Sequence, residues 1–296
     1  MSTHVAPTTR IHVEKRDVTV RPVPRTAPAP FLKWAGGKGR LLGQLRPLLP
    51  PGIERMRHVE PFLGGGALFF DQCPARALLC DVNPALIEAY QAVRDDVEGL
   101  IGELGALAAE HSAAGYYRVR ERYNQRSAAP LGQAAMFVYL NKTCFNGLHR
   151  VNRRGEFNVP AGRYENPRIL HQDALRAASL TLASAEIRCE GFEGLLESAR
   201  PGDFIYFDPP YEPVSETARF TSYARDGFGQ REQVRLRDVF RELDRRGARV
   251  MLSNSDVPFI RDIFRGYRLD LVAAPRAINC NGRGRGLVSE VVVRNY

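Results

Sequence analysis

Length and composition narrow the classes of protein that this sequence can encode. Its 296 residues are 44% hydrophobic, which is sufficient to bury the core of one large domain or two modest ones. It has no run of about 18 apolar residues and begins without an apolar leader, so neither a membrane span nor a secretory signal is expected. The net charge of +9 permits a polyanionic partner, although an arginine-rich composition without function would give the same excess.

The cysteines and histidines argue against a disulfide framework and against a metal site. The five cysteines are odd in number and form no CxxC pair, which favours a reducing cytoplasm and, for most of them, a role as small core residues. The six histidines are scattered without the spacing of metal ligands, so no metal is expected. The cysteines are Cys73, Cys80, Cys144, Cys189 and Cys280.

In chain order, an arm is followed by a series of predicted strands. Residues 1–30 are rich in Pro, Thr, Val and Arg without helical periodicity, so we interpret them as a flexible basic arm that either touches DNA phosphates or is an idle tail. Beyond the arm, seven apolar segments predict strands, and helical stretches between several of them favour an open α/β sheet. The predicted strands lie within 57–60, 75–81, 185–192, 202–211, 248–256, 268–276 and 289–296.

One long interval interrupts this alternation of strands and helices. Residues 84–170 carry apolar side chains at helical spacing, as in "LIEAYQAVRDDVEGLIGEL" and "AAMFVYL". The interval ends in a stretch rich in Gly, Asn and Arg. We interpret it as an inserted second domain, which leaves 31–83 and 171–296 to form the sheet domain.

A glycine turn and an acid mark the ends of the first two predicted strands. Gly64 to Gly66 follow the first strand and open a helix, so the backbone there can approach a ligand closely. Asp81 ends the second strand, where a carboxylate can accept hydrogen bonds from both hydroxyls of a ribose. A tight turn with a helix-capping Asp81 is the structural alternative.

The segment "KWAGGKGR", which begins at Lys33, resembles a phosphate loop only superficially. No Ser or Thr follows Lys38, so the spacing of a nucleotide triphosphatase is missing. The turn more plausibly supplies the Trp34 ring for stacking and the Lys38 cation for a carboxylate. A purely structural Trp34 on a loop is the alternative.

The four residues "DPPY" follow the apolar run of the fourth predicted strand. An exocyclic amine of a nucleobase is a poor nucleophile because its lone pair is delocalised into the ring. The Asp208 carboxylate and the Pro209 carbonyl can accept its two hydrogens and favour a tetrahedral nitrogen, while Tyr211 stacks on the base. The rigid prolines would fix this arrangement. A strand-to-loop turn with an Asp cap is the alternative.

Taken together, these motifs resemble the Dam-type DNA adenine-N6 methyltransferases, in the family's order and over nearly everything after residue 30. The resemblance implies a class I S-adenosylmethionine-dependent methyltransferase sheet with a helical target-recognition insert. It implies that S-adenosyl-L-methionine is the cofactor, with binding residues Trp34, Lys38, Glu60, Phe62, Gly64, Gly66, Asp81 and Asp208. The segments that carry it are "FLKWAGGK", "VEPFLGGGALFF", "DVNPALIEAY", "LNKTCFNGLHRVNRRGEFNVPAGRY", "YFDPPYEP", "FTSYARDGFG" and "SNSD".

The resemblance also implies how duplex DNA would be bound. The adenine would be flipped out, because a base inside the stack cannot present its amine in line with the methyl donor. Arg150 would bond guanine O6 and N7, and Phe145 would enter the stack where the adenine leaves. Lys33 would approach the first base pair, Leu148 and Pro160 would make apolar contacts, and Asn146 would meet the unpaired thymine or a phosphate. GATC is the expected site, and Arg153, Arg154 and Arg163 are expected on phosphates.

Several other activities were weighed against adenine methylation. A cytosine-N4 enzyme shares the chemistry but more often has Ser in place of Asp208, and a cytosine-C5 enzyme needs a Pro-Cys dipeptide that the sequence lacks. The long insert argues for duplex DNA over RNA or protein. A DNA-binding module without catalysis remains the non-enzymatic alternative. We expect a monomer in the cytoplasm of a bacterium or phage host, with a restriction endonuclease as a possible functional partner.

Overall fold

A seven-stranded sheet organises the chain, as the sequence predicts. The computed structural model describes residues 26–214, 228–275 and 287–296, and it orders the strands β3-β2-β1-β4-β5-β7-β6. Strands β1 to β5 are parallel, whereas β7 runs antiparallel between β5 and β6. The strands are β1 (His58–Glu60), β2 (Ala77–Asp81), β3 (Ala185–Cys189), β4 (Phe204–Phe207), β5 (Arg249–Ser255), β6 (Arg268–Pro275) and β7 (Leu287–Arg294).

The central strands are apolar on both faces because helices cover both sides of the sheet. All four residues of β4, "FIYF", are buried, and so are the three residues of β1. Chain order along the sheet reverses at β1, which lies between β2 and β4. In an open α/β sheet, the crevice beyond the carboxyl ends of the strands at such a reversal is where ligands bind.

Ten α-helices are assigned in the described part of the chain. The third begins at a cap in which the Asn83 side chain accepts hydrogen bonds from two backbone N–H groups, and Pro84 occupies the first helical turn. They are α1 (Leu42–Leu45), α2 (Ala67–Gln72), α3 (Pro84–Asp95), α4 (Val97–Ala109), α5 (Ala113–Gln125), α6 (Pro130–Thr143), α7 (Gln172–Leu182), α8 (Leu195–Ser198), α9 (Gln230–Arg245) and α10 (Pro258–Ile263).

The helical interval packs continuously with one face of the sheet. A single apolar cluster includes Leu79 of β2, Leu86 of α3, Leu104 of α4 and Phe137 of α6. Helix α3 contacts β2, β3, α6 and α7, so it joins the sheet to the other helices of the interval. The division into a sheet domain and an insert at 84–170 stays a prediction.

A hairpin follows α6 and carries the polar end of the interval. Two antiparallel bridges, Cys144 with Ala161 and Val151 with Phe157, define its arms. The Asn152 side chain accepts the backbone N–H groups of Arg154 and Glu156, which closes the turn between the arms. Across the described ranges, no helix is long and apolar enough to cross a membrane. Most of the predicted arm and Cys280 lie outside the described residues.

Candidate active site

The glycine turn, Asp81 and Trp34 lie together at the carboxyl ends of β1 and β2. The backbone N–H of Gly64 donates to Asp81 Oδ2 at 3.1 Å, and that of Asn83 donates to Asp81 Oδ1 at 3.0 Å. Gly64 has a φ of +49°, and a Cβ there would lie 2.8 Å from Cδ1 of Trp34. Both the backbone conformation and the close indole therefore require glycine at this position.

A buried ion pair occupies the end of β4. Lys38 Nζ lies 2.6 Å from Asp208 Oδ1, and the two side chains are 6% and 21% exposed. The same ammonium group donates to the Gly36 carbonyl at 2.8 Å, which ties it to its own loop. The "KWAGGK" loop and the "DPPY" loop, 170 residues apart in sequence, are thereby joined at one point.

Burial sets the protonation of Asp208. It raises the pKa of this carboxyl to about 6, against the opposing effect of the Lys38 ammonium group. The negative charges of Glu290 and Glu60 raise the pKa further. Asp208 is therefore mostly ionised at neutral pH and becomes protonated in mildly acidic solution.

Two wholly buried amides hold the backbone that follows Asp208. Gln233 Nε2 donates to the Pro210 carbonyl at 2.9 Å, and the Glu212 N–H donates to Asn254 Oδ1 at 3.1 Å. The two amides bond each other at 3.1 Å. Hydrogen bonds from α9 and β5 thus hold the "DPPY" backbone in addition to the rigidity that its two prolines provide.

Tyr211 is fixed at both its ring and its hydroxyl. Its hydroxyl donates to Glu290 Oε2 at 2.8 Å, and Lys38 Nζ lies 4.7 Å from the centroid of its ring. Burial raises the pKa of Tyr211 well above its ordinary value, so the hydroxyl stays protonated and remains a donor.

The end of β1 contributes another buried acid. Glu60 Oε1 lies 2.7 Å from Nε2 of His58, and both side chains are buried. Phe62 follows it and stacks on Phe192, with ring centroids 5.5 Å apart. The carboxylates of Glu60 and Glu290 and the ammonium group of Lys38 therefore all act on the charge of Asp208. The described residues contain no group of three or more His, Cys, Asp or Glu side chains placed to hold a metal ion.

The predicted DNA-contacting residues lie on the hairpin and on the adjoining loop. Phe145 and Arg150 are exposed, and Leu148 is half-buried. The Phe145 N–H donates to the Pro160 carbonyl at 2.9 Å, while Asn146 adopts a left-handed conformation with a φ of +55°. Lys33 Nζ lies 4.1 Å from the centroid of the Tyr164 ring and 3.2 Å from the Lys142 carbonyl oxygen. These side chains share one surface, next to the loop that carries Trp34.

Comparison with known families decides between the possible chemistries of this site. Residues 34–278 match the model of the D12 class N6 adenine-specific DNA methyltransferases. The chain belongs to this family. The match begins at Trp34 and includes the glycine turn, Asp81 and Asp208, whereas Glu290 lies beyond its end.

Curated relatives agree with the family assignment over most of their length. The chain is 40% identical over 285 residues to the type II methyltransferase M.MjaIII of Methanocaldococcus jannaschii, covering 90% of this chain and 99% of that protein. It is 40% identical to the type II methyltransferase M1.LlaDCHI of Lactococcus lactis, covering 90% and 95%. It is 36% identical to the DNA adenine methylase of Escherichia coli K12, covering 88% and 93%. The predicted family, fold class and adenine-specific activity are confirmed.

Sequence analysis missed three polar side chains of this adenine methyltransferase site. Glu290 carries only a weak signal, as an acid directly before the apolar run Val291–Val293. Gln233 carries no local signal, and Asn254 lies in the segment "SNSD" without an assigned role, because both roles depend on contacts with the "DPPY" backbone. Most of the segment "FTSYARDGFG", from Phe220, lies outside the described residues.

The Tyr211–Glu290 bond gives a first test of the methyltransferase site. Glu290→Ala should lower the rate of methyl transfer about 10- to 100-fold, the effect of losing a hydrogen bond to a charged group. Glu290→Gln should retain more activity, because an amide oxygen can still accept from the phenol. Single-turnover rates on methylatable duplex measure both.

The control for this test is Tyr211→Phe, which removes the donor and keeps the ring. In the Tyr211→Phe background, Glu290→Ala should cost little more, because the bond it breaks is already absent. Rate losses that multiply in the double variant would show that Glu290 acts independently of the phenol.

Proposed function

We propose that this protein transfers a methyl group from S-adenosyl-L-methionine to N6 of an adenine flipped out of duplex DNA, within the sequence GATC. The observation that supports this most directly is the junction of Lys38, Asp208 and Tyr211 beside the Gly64 turn. It brings an acceptor for an amine and an aromatic ring to the edge of a crevice suited to a nucleoside.

The charges and shapes of the crevice fit S-adenosyl-L-methionine. Asp81 faces the glycine turn, where a carboxylate can bind ribose hydroxyls, and the Trp34 and Phe62 rings border the same region. The carboxylates of Glu60 and Asp208 supply the negative charge that a sulfonium and an ammonium group require. When bound, the cofactor supplies an electrophilic methyl group on sulfur.

The "DPPY" residues would activate the target amine by positioning it. The ionised Asp208 carboxylate and the Pro209 carbonyl would accept hydrogen bonds from its two N–H groups, which directs the nitrogen lone pair towards the methyl donor. The proton that the methylated nitrogen must lose would pass to the Asp208 carboxylate. Tyr211 stacks on the adenine with an orientation set by Glu290. The Lys38 ammonium group holds Asp208 ionised and in place.

The hairpin would select the site of methylation. Arg150 Nε donates to Asn158 Oδ1 at 2.7 Å and Nη2 donates to the Asn158 carbonyl at 3.3 Å, so this guanidinium is held on the opposite arm. If Nη1 and Nη2 bond O6 and N7 of guanine, the Nη2 bond to the Asn158 carbonyl is lost and the Nε bond to Asn158 Oδ1 is kept. Lys33, Asn146, Leu148 and Pro160 would contribute further contacts, and the exposed Phe145 would fill the space that the adenine leaves.

Arg150→Ala is expected to relax base preference at a cost of about 1–3 kcal/mol for the preferred duplex. Its affinity for S-adenosyl-L-methionine should be unchanged, since the side chain lies on the hairpin. Competition between GATC duplexes and duplexes altered at one base pair measures the discrimination.

Arg153→Ala is the matched control for Arg150→Ala, because Arg153 is an exposed arginine at the turn of the same hairpin. It should weaken binding to all duplexes about equally, as expected for a phosphate contact. Unchanged discrimination in Arg150→Ala would reduce Arg150 to a phosphate contact as well.

Asp81→Ala should weaken cofactor affinity about 10-fold or more, because a charged acceptor for the ribose hydroxyls is lost. Isothermal titration with S-adenosylhomocysteine measures this effect without turnover. Asp95→Ala, which removes an exposed carboxylate at the end of α3, is the control and should bind normally. Equal affinities in the two variants would refute the assigned role of Asp81.

The proposal is tested as a whole by mapping methylated bases. Unmethylated plasmid is incubated with the protein and S-adenosyl-L-methionine, and modified bases are located by sequencing. N6-methyladenine confined to GATC supports both the chemistry and the hairpin assignment. Methyladenine at another sequence keeps the chemistry and overturns the roles given to Lys33, Arg150 and Pro160.

The names of the relatives suggest a biological setting. Two of them are type II methyltransferases, which supports a restriction endonuclease as functional partner. We further propose that the protein acts as a monomer on cytoplasmic DNA. Gel filtration of the complex with a single-site duplex tests the stoichiometry, and two copies on one site would contradict it.

A further inference from the structure

One hairpin side chain points towards the cofactor loop rather than towards DNA. The His149 ring stacks on Trp34 with centroids 5.8 Å apart and planes 19° apart. It also packs against Phe137 of α6, at 5.6 Å, and against Phe157 of the opposite hairpin arm, at 5.9 Å. Its neighbours in sequence are Leu148 and Arg150, two of the residues proposed to contact bases.

The same imidazole also reaches the turn that carries Asp81. Its Nδ1 lies 3.4 Å from Nδ2 of Asn83, whose own N–H donates to Asp81 Oδ1. Burial lowers the pKa of His149, so the neutral ring predominates and Nδ1 can accept the amide hydrogen. His149 therefore touches both segments that border the ribose and indole side of the crevice.

The surrounding backbone leaves little freedom between hairpin and loop. Asn141 Oδ1 accepts the Lys33 N–H at 2.8 Å, and its Nδ2 donates to the Lys33 carbonyl at 2.7 Å and to the Gly147 carbonyl at 3.2 Å. A Cβ at Gly147 would lie 2.5 Å from Cβ of Lys33. The loop residue before Trp34 and the start of the hairpin are thus fastened to one another.

Trp34 completes a continuous row of contacts. One part of its indole lies against the Gly64 turn, and the ring stacks on His149. A ligand that packs on the glycine turn and the indole is therefore linked through the imidazole to the hairpin. Two ligands that favour the same arrangement of this row of contacts bind with positive coupling.

We propose that His149 is a positioning residue that couples occupancy of the cofactor site to the affinity of the hairpin for its DNA sequence. The proposal rests on the proposed function, since it uses the cofactor and DNA sites assigned there. Thermodynamic linkage requires the coupling to be reciprocal, so specific duplex must strengthen cofactor binding by the same factor.

The test measures four dissociation constants on the intact protein. Fluorescence anisotropy gives the affinity for a GATC duplex with and without saturating S-adenosylhomocysteine, and calorimetry gives the affinity for S-adenosylhomocysteine with and without duplex. The wild-type ratio is expected to be about 5- to 50-fold in both directions. A wild-type ratio of one, with both ligands bound, overturns the coupling.

Variants then locate the coupling in one side chain. His149→Ala should bring the ratio close to one, and the ratio is compared with that of the wild type whatever the affinity of the variant for S-adenosylhomocysteine alone. His149→Phe keeps an aromatic ring on Trp34 and should keep most of the ratio. Arg153→Ala is the control, because it should weaken duplex binding with and without cofactor and leave the ratio as it is.

The outcomes separate this proposal from the function on which it rests. A full wild-type ratio in His149→Ala overturns the role of His149 and leaves the methyltransferase assignments intact. A wild-type protein that binds S-adenosylhomocysteine or the GATC duplex no better than unrelated ligands overturns the proposed cofactor or recognition site, and this inference with it.

Discussion

Asp208→Ala is expected to abolish methyl transfer while duplex binding is largely retained. In the proposed mechanism the carboxylate accepts a hydrogen bond from the target amine, and loss of one preorganised electrostatic group lowers a rate about 10²- to 10³-fold. Asp208 also pairs with Lys38 Nζ at 2.6 Å. The substitution leaves this buried ammonium group without its partner, which adds to the loss of rate. The proposed DNA contacts lie on the hairpin and should survive.

The measurement combines single-turnover methylation with anisotropy on the same duplex. Asp208→Asn is the control that separates the two roles, since its amide oxygen still accepts from Lys38 but carries no charge. We expect Asp208→Asn to fold as the wild type does and to remain severely impaired. Near-normal turnover in either variant would remove Asp208 from the chemistry, and loss of duplex affinity equal to the loss of rate would assign it to binding.

Local patterns were sufficient to predict the framework of this fold. All seven strands occur where the sequence predicted them, and the signal is clearest in β4, "FIYF", because a strand buried on both faces is a continuous apolar run. The glycine turn was predictable for a similar reason. Position 64 has a positive φ and no room for a Cβ next to Trp34, and glycine is the residue that satisfies both conditions.

The contacts between distant segments were not predictable in the same way. The bond from Tyr211 to Glu290 spans 79 residues, and that from the Glu212 N–H to Asn254 spans 42. The residues around Glu290 and Asn254 do not indicate their hydrogen-bond partners, because the order of strands in the sheet determines which segments meet. His149 is a further case, because its proposed role depends on stacking with Trp34, which is distant in sequence.

The pairing of Lys38 with a carboxylate could be predicted from the sequence, but the protonation state of that carboxylate could not. The sequence suggested that Lys38 serves a carboxylate, and the structure places it on Asp208 with Glu290 and Glu60 nearby. The balance of these charges with burial determines whether Asp208 is ionised at working pH. Substitution of the single cation in this group therefore has a distinctive expected result.

Lys38→Met is expected to make methyl transfer depend on alkaline pH. An opposite charge within about 4–6 Å lowers a carboxyl pKa by about 1–3 units, so its removal should raise that of Asp208 by a similar amount. The wild-type rate should fall as pH decreases through about 6, the pKa of Asp208. In Lys38→Met that acidic limb should lie at higher pH, with a rate at pH 7 about 2- to 100-fold below wild type.

The pH–rate profile, measured at saturating cofactor and duplex, distinguishes this effect from a loss of binding. Raising the pH ionises Asp208 in the variant and should restore part of the lost rate, whereas a displaced cofactor would lower the rate equally at every pH. Arg40→Met is the matched control, because Arg40 is an exposed cation in the same short 3₁₀-helix, and its profile should coincide with that of the wild type. A Lys38→Met profile of wild-type shape at reduced height would show that Lys38 serves the cofactor alone and does not set the ionisation of Asp208.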